Sequence, residues 1–208
     1  SKIILDGRPG GTDVTPANLW TIRSTSTGAS VYSAIKYTIN CSNNTLTYLN
    51  VEGEGSVYSY GIIEYDDFSG TTGCDNNTVS YCIIRDLTSG GTAARPAHGI
   101  FSIGTSATVY NDNNTVDNCQ FIDIGRGDLA ATDPSSMIAI TNYNSGWTVT
   151  NNHFYQTVSY GSMNNDFRFI TIGTSPSDAG GGYTVTGNYI GGTAKNCGGT
   201  QFIITSGT

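Results

Sequence analysis

The fold is decided by a stretch that the chain repeats, Asn76–Asp86, with the sequence NNTVSYCIIRD. Close copies begin at Asn43 (NNTLTYLNV) and Asn113 (NNTVDNCQFID), and looser copies begin at Gly146 (GWTVTNNHF) and Gly182 (GYTVTGNYI). The copies follow one another at intervals of 33 to 37 residues, and their shared threonines are Thr45, Thr78, Thr115, Thr148 and Thr184. A unit that recurs at this period indicates a repeat architecture.

Each copy is followed, about twenty residues later, by a second short run rich in β-branched residues. The copies of this second run are Gly61–Tyr65, Gly99–Ile103, Met137–Ile140, Phe169–Ile172 and Gln201–Ile204. Gly- and Ser-rich loops separate the runs, and no long 3.6-residue stripe indicates a helix. A propeller blade needs about four strands in ~40 residues, whereas three short strands per repeat fit one coil of a parallel β-helix.

Three columns of the aligned copies support the coil interpretation. Two columns, one and six positions after the threonine, are apolar throughout, as the inward face of a solenoid requires. Their members are Leu46, Val79, Val116, Val149 and Val185, then Val51, Ile84, Phe121, Phe154 and Ile190. A third column, four positions after it, should form a core ladder that changes from apolar side chains to stacked amides. Its members are Leu49, Cys82, Cys119, Asn152 and Asn188.

The sequence therefore predicts an all-β protein, a right-handed parallel β-helix of about six coils with variable loops. Residues 1–208 should form a single domain. Neither end carries an amphipathic helix or another cap, so both ends should be uncapped. We expect the chain to be a segment of a longer solenoid, with neighbouring coils supplied by the same or another chain.

Composition narrows the classes of partner and cofactor. The net charge is −7, with only nine Lys and Arg residues, which disfavours nucleic acid and anionic membranes. No run of 18 apolar residues is present, so no membrane span is expected. His98 and His153 lie in different parts of their repeats, and no third ligand is in register with them. We therefore expect no metal and no cofactor.

The cysteines fall into register in pairs. Cys41 and Cys74 both lie four positions before their threonine, and Cys82 and Cys119 both lie four positions after it. Residues on adjacent parallel strands are ~4.8 Å apart, within the Cα range that a disulfide tolerates. Cys41–Cys74 is the candidate disulfide, with free buried thiols as the alternative.

Acidic residues are the candidates for catalysis, because polysaccharide hydrolases and lyases use carboxylates. Asp66 and Asp67 lie in one coil, and Asp86 and Asp123 share a column at a strand end. The alternative is that strand-end Asp residues accept hydrogen bonds from turn backbone N–H groups. The Asn-x-Thr sequons fit coil turns better than glycosylation sites, and the threonine column adjoins the buried column, which disfavours ice binding.

Five stretches together resemble a known family: Ile4–Gly11, the Asn-Asn-Thr coils, Trp147–Thr157, Tyr183–Gly192 and Cys197–Thr200. They are similar to the parallel β-helix region of large secreted or cell-surface proteins of Bacteroidota that are exported by type IX secretion. The resemblance implies export across the outer membrane, contact with the type IX machinery and an adhesin-like role. It supplies no catalytic residues.

Two hypotheses follow. The first is a non-catalytic extracellular solenoid of an adhesin-like or structural surface protein, which binds glycan or protein surfaces through its loops. The second is a carbohydrate-active enzyme, a polysaccharide lyase or glycoside hydrolase, that uses Asp66, Asp67, Asp86 or Asp123. Acids and Arg gathered in one outward groove would favour the second.

Overall fold

The structure, a computed structural model, describes residues 2–25, 33–54, 59–66, 70–87, 95–158, 162–173, 180–202 and 205–206. Its strands are short and follow one another around successive coils. The first three coils contain β1 (Ile4–Asp6), β2 (Thr21–Arg23), β3 (Ile35–Thr38), β4 (Thr45–Thr47), β5 (Asn50–Gly53), β6 (Gly61–Asp66), β7 (Thr78–Ser80), β8 (Ile83–Asp86) and β9 (His98–Ile103).

The later coils continue the pattern and add two short ladders in their loops. They contain β10 (Asn111–Asp112), β11 (Thr115–Asp117), β12 (Gln120–Ile122), β13 (Ser135–Ile140), β14 (Asn144–Ser145), β15 (Thr148–Thr150), β16 (His153–Tyr155), β17 (Ser162–Met163), β18 (Phe167–Ile172), β19 (Thr184–Thr186), β20 (Tyr189–Ile190) and β21 (Thr205–Ser206). The helical elements of the described residues are two 3-10 turns, Pro9–Gly11 and Pro16–Asn18.

Three parallel sheets form the sides of the solenoid. The first sheet has the order β1-β4-β7-β11-β15-β19, the second β2-β5-β8-β12-β16-β20, and the third β18-β13-β9-β6-β3. Each strand thus pairs with its equivalent one coil away, as in a parallel β-helix. The predicted all-β solenoid fold is confirmed.

The number of coils is slightly lower than predicted. Within the described residues, five coils contribute a strand to all three sheets and the sixth contributes to two of them. Only four coils have a neighbour on both sides in the first two sheets. Of the last predicted run, Ile203 and Ile204 lie outside the described residues.

The threonines identified from the sequence pair with one another across the first sheet. Thr45 pairs with Thr78, Thr78 with Thr115, Thr115 with Thr148 and Thr148 with Thr184. Ile4 occupies the same position in the first coil. The aligned copies do not include this coil, because the Asn-Asn-Thr motif is absent there.

Left-handed residues make the corners between the first two sheets. The residue three positions after each threonine has a φ of 53° to 67°, and these residues are Tyr48, Tyr81, Asn118, Asn151 and Gly187. The corner before the first sheet uses a second set at φ 56° to 76°, namely Asn43, Asn76, Asn113, Gly146 and Gly182. Asn and Gly are common at both corners because they tolerate this conformation.

The apolar columns form a continuous core between the sheets. Phe121 and Phe154 stack with ring centroids 4.9 Å apart, and Tyr37 stacks on Tyr65 at 4.4 Å. The columns are buried in the inner coils but become exposed in the last one, where Val185 is 42% exposed and Ile190 is 47% exposed.

The predicted core ladder lies inside the coils. Leu49, Cys82 and Cys119 are buried. The backbone N–H of Cys119 donates to Asn152 Oδ1 at 2.9 Å. Both the backbone N–H and Nδ2 of Asn152 donate to Asn188 Oδ1, at 3.0 and 3.1 Å. The amide column therefore supplies hydrogen bonds where the turn backbone faces the core.

Candidate functional site

Of the acids named from the sequence, the three that the structure describes do not gather in one groove. Asp66 lies on the third sheet, where Lys36 Nζ is 2.6 Å from its Oδ2 and 3.1 Å from Glu64 Oε1. Burial raises the pKa of Glu64, although hydrogen bonds from Ser33 and Lys36 act in the opposite direction and lower it. Asp67 lies outside the described residues.

Asp86 and Asp123 lie on adjacent coils at the end of the second sheet, as their spacing indicated. They are only 1% and 2% exposed. Asp123 accepts a hydrogen bond from the backbone N–H of Thr157 at 2.7 Å and another from the Thr157 hydroxyl, and Arg95 Nη2 lies 3.9 Å away. Asp123 thus holds a turn in place, and neither carboxylate faces a surface groove.

In the structure, no disulfide joins Cys41 to Cys74, the pair that the sequence offers as a candidate. Cys41 Sγ accepts a hydrogen bond from Asn44 Nδ2 at 3.2 Å, while the Cys74 backbone donates to Asn111 Oδ1 at 2.9 Å. Each cysteine is therefore held by the internal amide network instead of by a covalent bond. Cys82 and Cys119 are also free, and burial raises the pKa of the Cys119 thiol.

One cavity lies on the outer face of the third sheet and has a volume of about 280 Å³. Its floor is apolar, with Phe101, Ile103 and Ala139. Its polar groups bond to one another: the backbone N–H of Ser136 donates to His98 Nδ1 at 3.0 Å, and the Ser136 hydroxyl lies 2.8 Å from that of Thr171. This cavity therefore offers few polar groups that could bind a ligand.

A second site lies on the outer face of the second sheet, and we call it the second-sheet trough. Its floor consists of Ile83, Arg85, Gln120 and Ile122, and its walls include Pro16 and Lys195. Two adjoining cavities of about 370 and 160 Å³ form it, and they share Pro16, Ile83 and Gln120. The larger cavity extends from β5 to β16, a distance of about 14 Å across four coils.

The walls come from opposite ends of the chain. On one side the loop between β1 and β2 folds over the sheet, where Asn50 Nδ2 donates to the carbonyl of Pro16 at 3.1 Å. On the other side Lys195 belongs to the loop after β20, whose Asn196 N–H donates to His153 Nδ1 at 3.4 Å. The trough is thus a feature of the folded coils together, not of any single repeat.

Register explains the floor of the trough. Strand pairing places Asn50, Ile83, Gln120 and His153 in one outward column. The same pairing places Glu52, Arg85, Ile122 and Tyr155 in the next outward column. Because alternate residues of a strand face opposite sides, these columns point outward while Val51, Ile84 and Phe121 point into the core.

Gln120 lies in the middle of the trough and belongs to both cavities. Tyr155 Oη donates to Gln120 Oε1 at 3.0 Å, which fixes the orientation of the amide. Within the described residues the amide nitrogen of Gln120 makes no hydrogen bond, so it can donate to a ligand. Burial raises the pKa of Tyr155, and nearby Arg85 opposes this effect.

Aromatic side chains border the trough at the corner between the first two sheets. Tyr48 and Tyr81 stack almost in parallel, with centroids 4.8 Å apart and an interplanar angle of 4°. The Arg8 guanidinium lies 4.4 Å from the Tyr48 ring centroid. Tyr81 is 46% exposed, so part of its ring can contact an apolar partner.

The charges of the floor are partly compensated. Arg23 Nη2 lies 2.5 Å from Glu52 Oε2, and this pair neighbours Arg85 along the column. Sequence reasoning missed these residues, because outward columns vary from coil to coil and both walls lie outside the repeat. The only available signal was that outward positions of β8 and β12 include Ile83 and Ile122.

Comparisons with protein-family models, curated proteins and solved structures found no match to this chain. Within the described ranges, no three His, Cys, Asp or Glu side chains cluster as a metal site would require. The described part of the chain also contains no helix that is long and apolar enough to cross a membrane.

Proposed function

We propose that this chain is a non-catalytic β-solenoid segment of an extracellular or outer-membrane surface protein, and that it binds a glycan in the second-sheet trough. The resemblance to adhesin-like Bacteroidota proteins supports the location, and with it export by the type IX machinery. The stacked coils support a structural role, because a solenoid presents its outer face along a rigid support.

The chemistry of the trough is the observation that carries the glycan proposal. A pyranose ring has apolar C–H faces and a rim of hydroxyl groups. Ile83, Ile122 and the exposed part of the Tyr81 ring offer apolar surface for the ring faces. Gln120, Asn118 and Asn50 offer amide donors and acceptors for the hydroxyls. The alternation of both kinds of group over four coils suits an extended polymer.

Affinity electrophoresis against a panel of soluble polysaccharides tests this proposal. Tyr81→Ala and Gln120→Ala should each weaken binding, by roughly tenfold, or about 1.4 kcal/mol. Tyr110→Ala is the matched control, because Tyr110 packs against Tyr143 at 6.1 Å and does not line the trough. Binding that is lost equally in the control, or no binding to any glycan, contradicts the proposal.

Polysaccharide cleavage is the alternative, and it has less support. Glycosidases need two carboxylates beside the scissile bond, whereas Asp86 and Asp123 are buried and Asp66 is paired with Lys36. Product release from the same polysaccharides, measured with and without Ca²⁺, would establish this alternative if Asp86→Asn with Asp123→Asn abolished it while the variant stayed folded.

A further inference from the structure

Most of the basic residues in this acidic chain form ion pairs with carboxylates, but a few do not. The protein has nine Lys and Arg residues and a net charge of −7. Six of them form ion pairs with carboxylates: Arg8, Arg23, Lys36, Arg95, Arg126 and Arg168. The remaining three, Lys2, Arg85 and Lys195, have no carboxylate of the described residues within ion-pairing distance.

Two of these three unpaired cations line the second-sheet trough. Arg85 lies in the larger cavity and Lys195 in the smaller one, with Gln120 common to both. The carboxylate nearest to Arg85 in register is Glu52, which is engaged by Arg23 at 2.5 Å. Within the described residues, Arg85 Nε donates only to the backbone carbonyl of Asp86, at 3.4 Å. In a molecule with excess carboxylates, two cations left without a carboxylate partner in one concave site indicate complementarity to an anionic ligand.

We propose that the trough is selective for acidic glycans whose units carry carboxylates, which are uronate polymers. This inference rests on the proposed glycan-binding function and names its substrate class. Arg85 provides a planar guanidinium that can hold one carboxylate through two parallel hydrogen bonds. Lys195 provides a second positive charge at the other end of the trough, so that carboxylates on different units of one chain are engaged together.

The backbone of the second sheet disfavours an acidic peptide as the ligand. A peptide strand binds a sheet through main-chain hydrogen bonds at an open edge. Strands β5, β8, β12 and β16 are each paired on both sides, so no such edge lies in the trough. On the floor of the trough a ligand meets outward side chains, whose apolar and amide groups suit sugar rings between the two cations.

Calorimetric titration with a uronate oligomer, and with the same oligomer after chemical reduction of its carboxylates, tests the inference. Arg85→Gln and Lys195→Gln should each weaken binding of the acidic oligomer by roughly three- to fivefold, with a steeper loss in the double variant. Added salt should weaken binding of the acidic oligomer more than binding of the reduced one. Lys2→Gln, which removes the third unpaired cation outside the trough, should leave the affinity unchanged.

The outcomes separate this inference from the proposed function. If the reduced oligomer binds as tightly as the acidic one, the trough binds glycans but the carboxylate preference is wrong. If no glycan binds, both proposals fail. If Lys2→Gln weakens binding as much as Arg85→Gln does, the preference reflects the overall charge of the protein and not the trough. Tighter binding of dextran sulfate or polyglutamate, dependent on Arg85, would assign the site to sulfate or to acidic peptides instead. Thermal unfolding of each variant checks that it is folded.

Discussion

Single asparagine side chains hold the interior of the corners together. Asn77 is fully buried, and its Oδ1 accepts hydrogen bonds from the backbone N–H and Nδ2 of Asn44, at 2.9 and 3.0 Å. Its Nδ2 donates to the carbonyl of Cys41 at 2.8 Å and to Asn114 Oδ1 at 3.1 Å. One side chain thus bonds to polar groups on both neighbouring coils, which explains the second Asn of each Asn-Asn-Thr motif.

Asn77→Ala should therefore destabilise the protein strongly. The substitution leaves the buried N–H of Asn44 and the carbonyl of Cys41 without these partners, and we expect a loss of about 2–4 kcal/mol in the free energy of unfolding. Urea unfolding followed by circular dichroism measures it. Asn18→Ala is the control, because the Asn18 side chain makes an exposed hydrogen bond to Asp13, and its effect should stay within about 0.5 kcal/mol. Equal effects of the two substitutions would contradict the role given to Asn77.

At the scale of elements, the corners depend on backbone conformation as much as on side-chain contacts. Asn76, the first residue of its motif, has a φ of 56° and an exposed side chain. Its backbone N–H donates to the carbonyl of Asp112 on the next coil at 2.9 Å. The conformation of this residue therefore sets the direction in which the chain enters the first sheet.

Substitutions at Asn76 should follow backbone preference. Asn76→Val should lower the free energy of unfolding by about 1–2 kcal/mol, because a β-branched residue is strained in the left-handed region. Asn76→Gly should change it by no more than about 0.5 kcal/mol, since glycine adopts this conformation readily. The comparison of the two unfolding curves is the measurement, and a Val variant as stable as the Gly variant would refute this account of the corner.

The wall of the trough that carries Lys195 is tied to the second sheet by His153. Burial lowers the pKa of His153, and the charge of Lys195 lowers it further. Its ring also stacks on Tyr189, with centroids 4.9 Å apart. Neutral His153 therefore favours the folded loop above the ordinary pKa of 6.5, and this contribution is lost as the pH falls through the lowered value.

Lys195→Gln should raise the pKa of His153 towards its ordinary value, because it removes the repelling charge. An NMR titration of the imidazole resonances measures this change directly. Lys2→Gln should not alter the titration. A His153 pKa that does not respond to Lys195→Gln would place the lysine away from the ring, and hence away from the trough wall.

For the whole molecule, the sequence predicted the feature that repeats and missed the feature that does not. The threonine and apolar columns could be aligned because each coil imposes the same inward positions. The first coil could not be aligned with the others because Ile4 replaces the threonine, and the predicted number of coils was slightly too high. The trough could not be predicted, since its walls are loops that the repeat does not contain, although the aligned copies already placed β8 beside β12.

Amide hydrogen exchange with and without a uronate oligomer tests most directly whether the second-sheet trough is the binding site. The floor strands should exchange slowly even without ligand, because they are hydrogen-bonded on both sides. The account predicts that the ligand slows exchange in the two walls, residues 12–20 and 192–198. Slowing instead around Pro134 and Thr141, beside the third-sheet cavity, would contradict it, as would exchange that the ligand leaves unchanged in both walls.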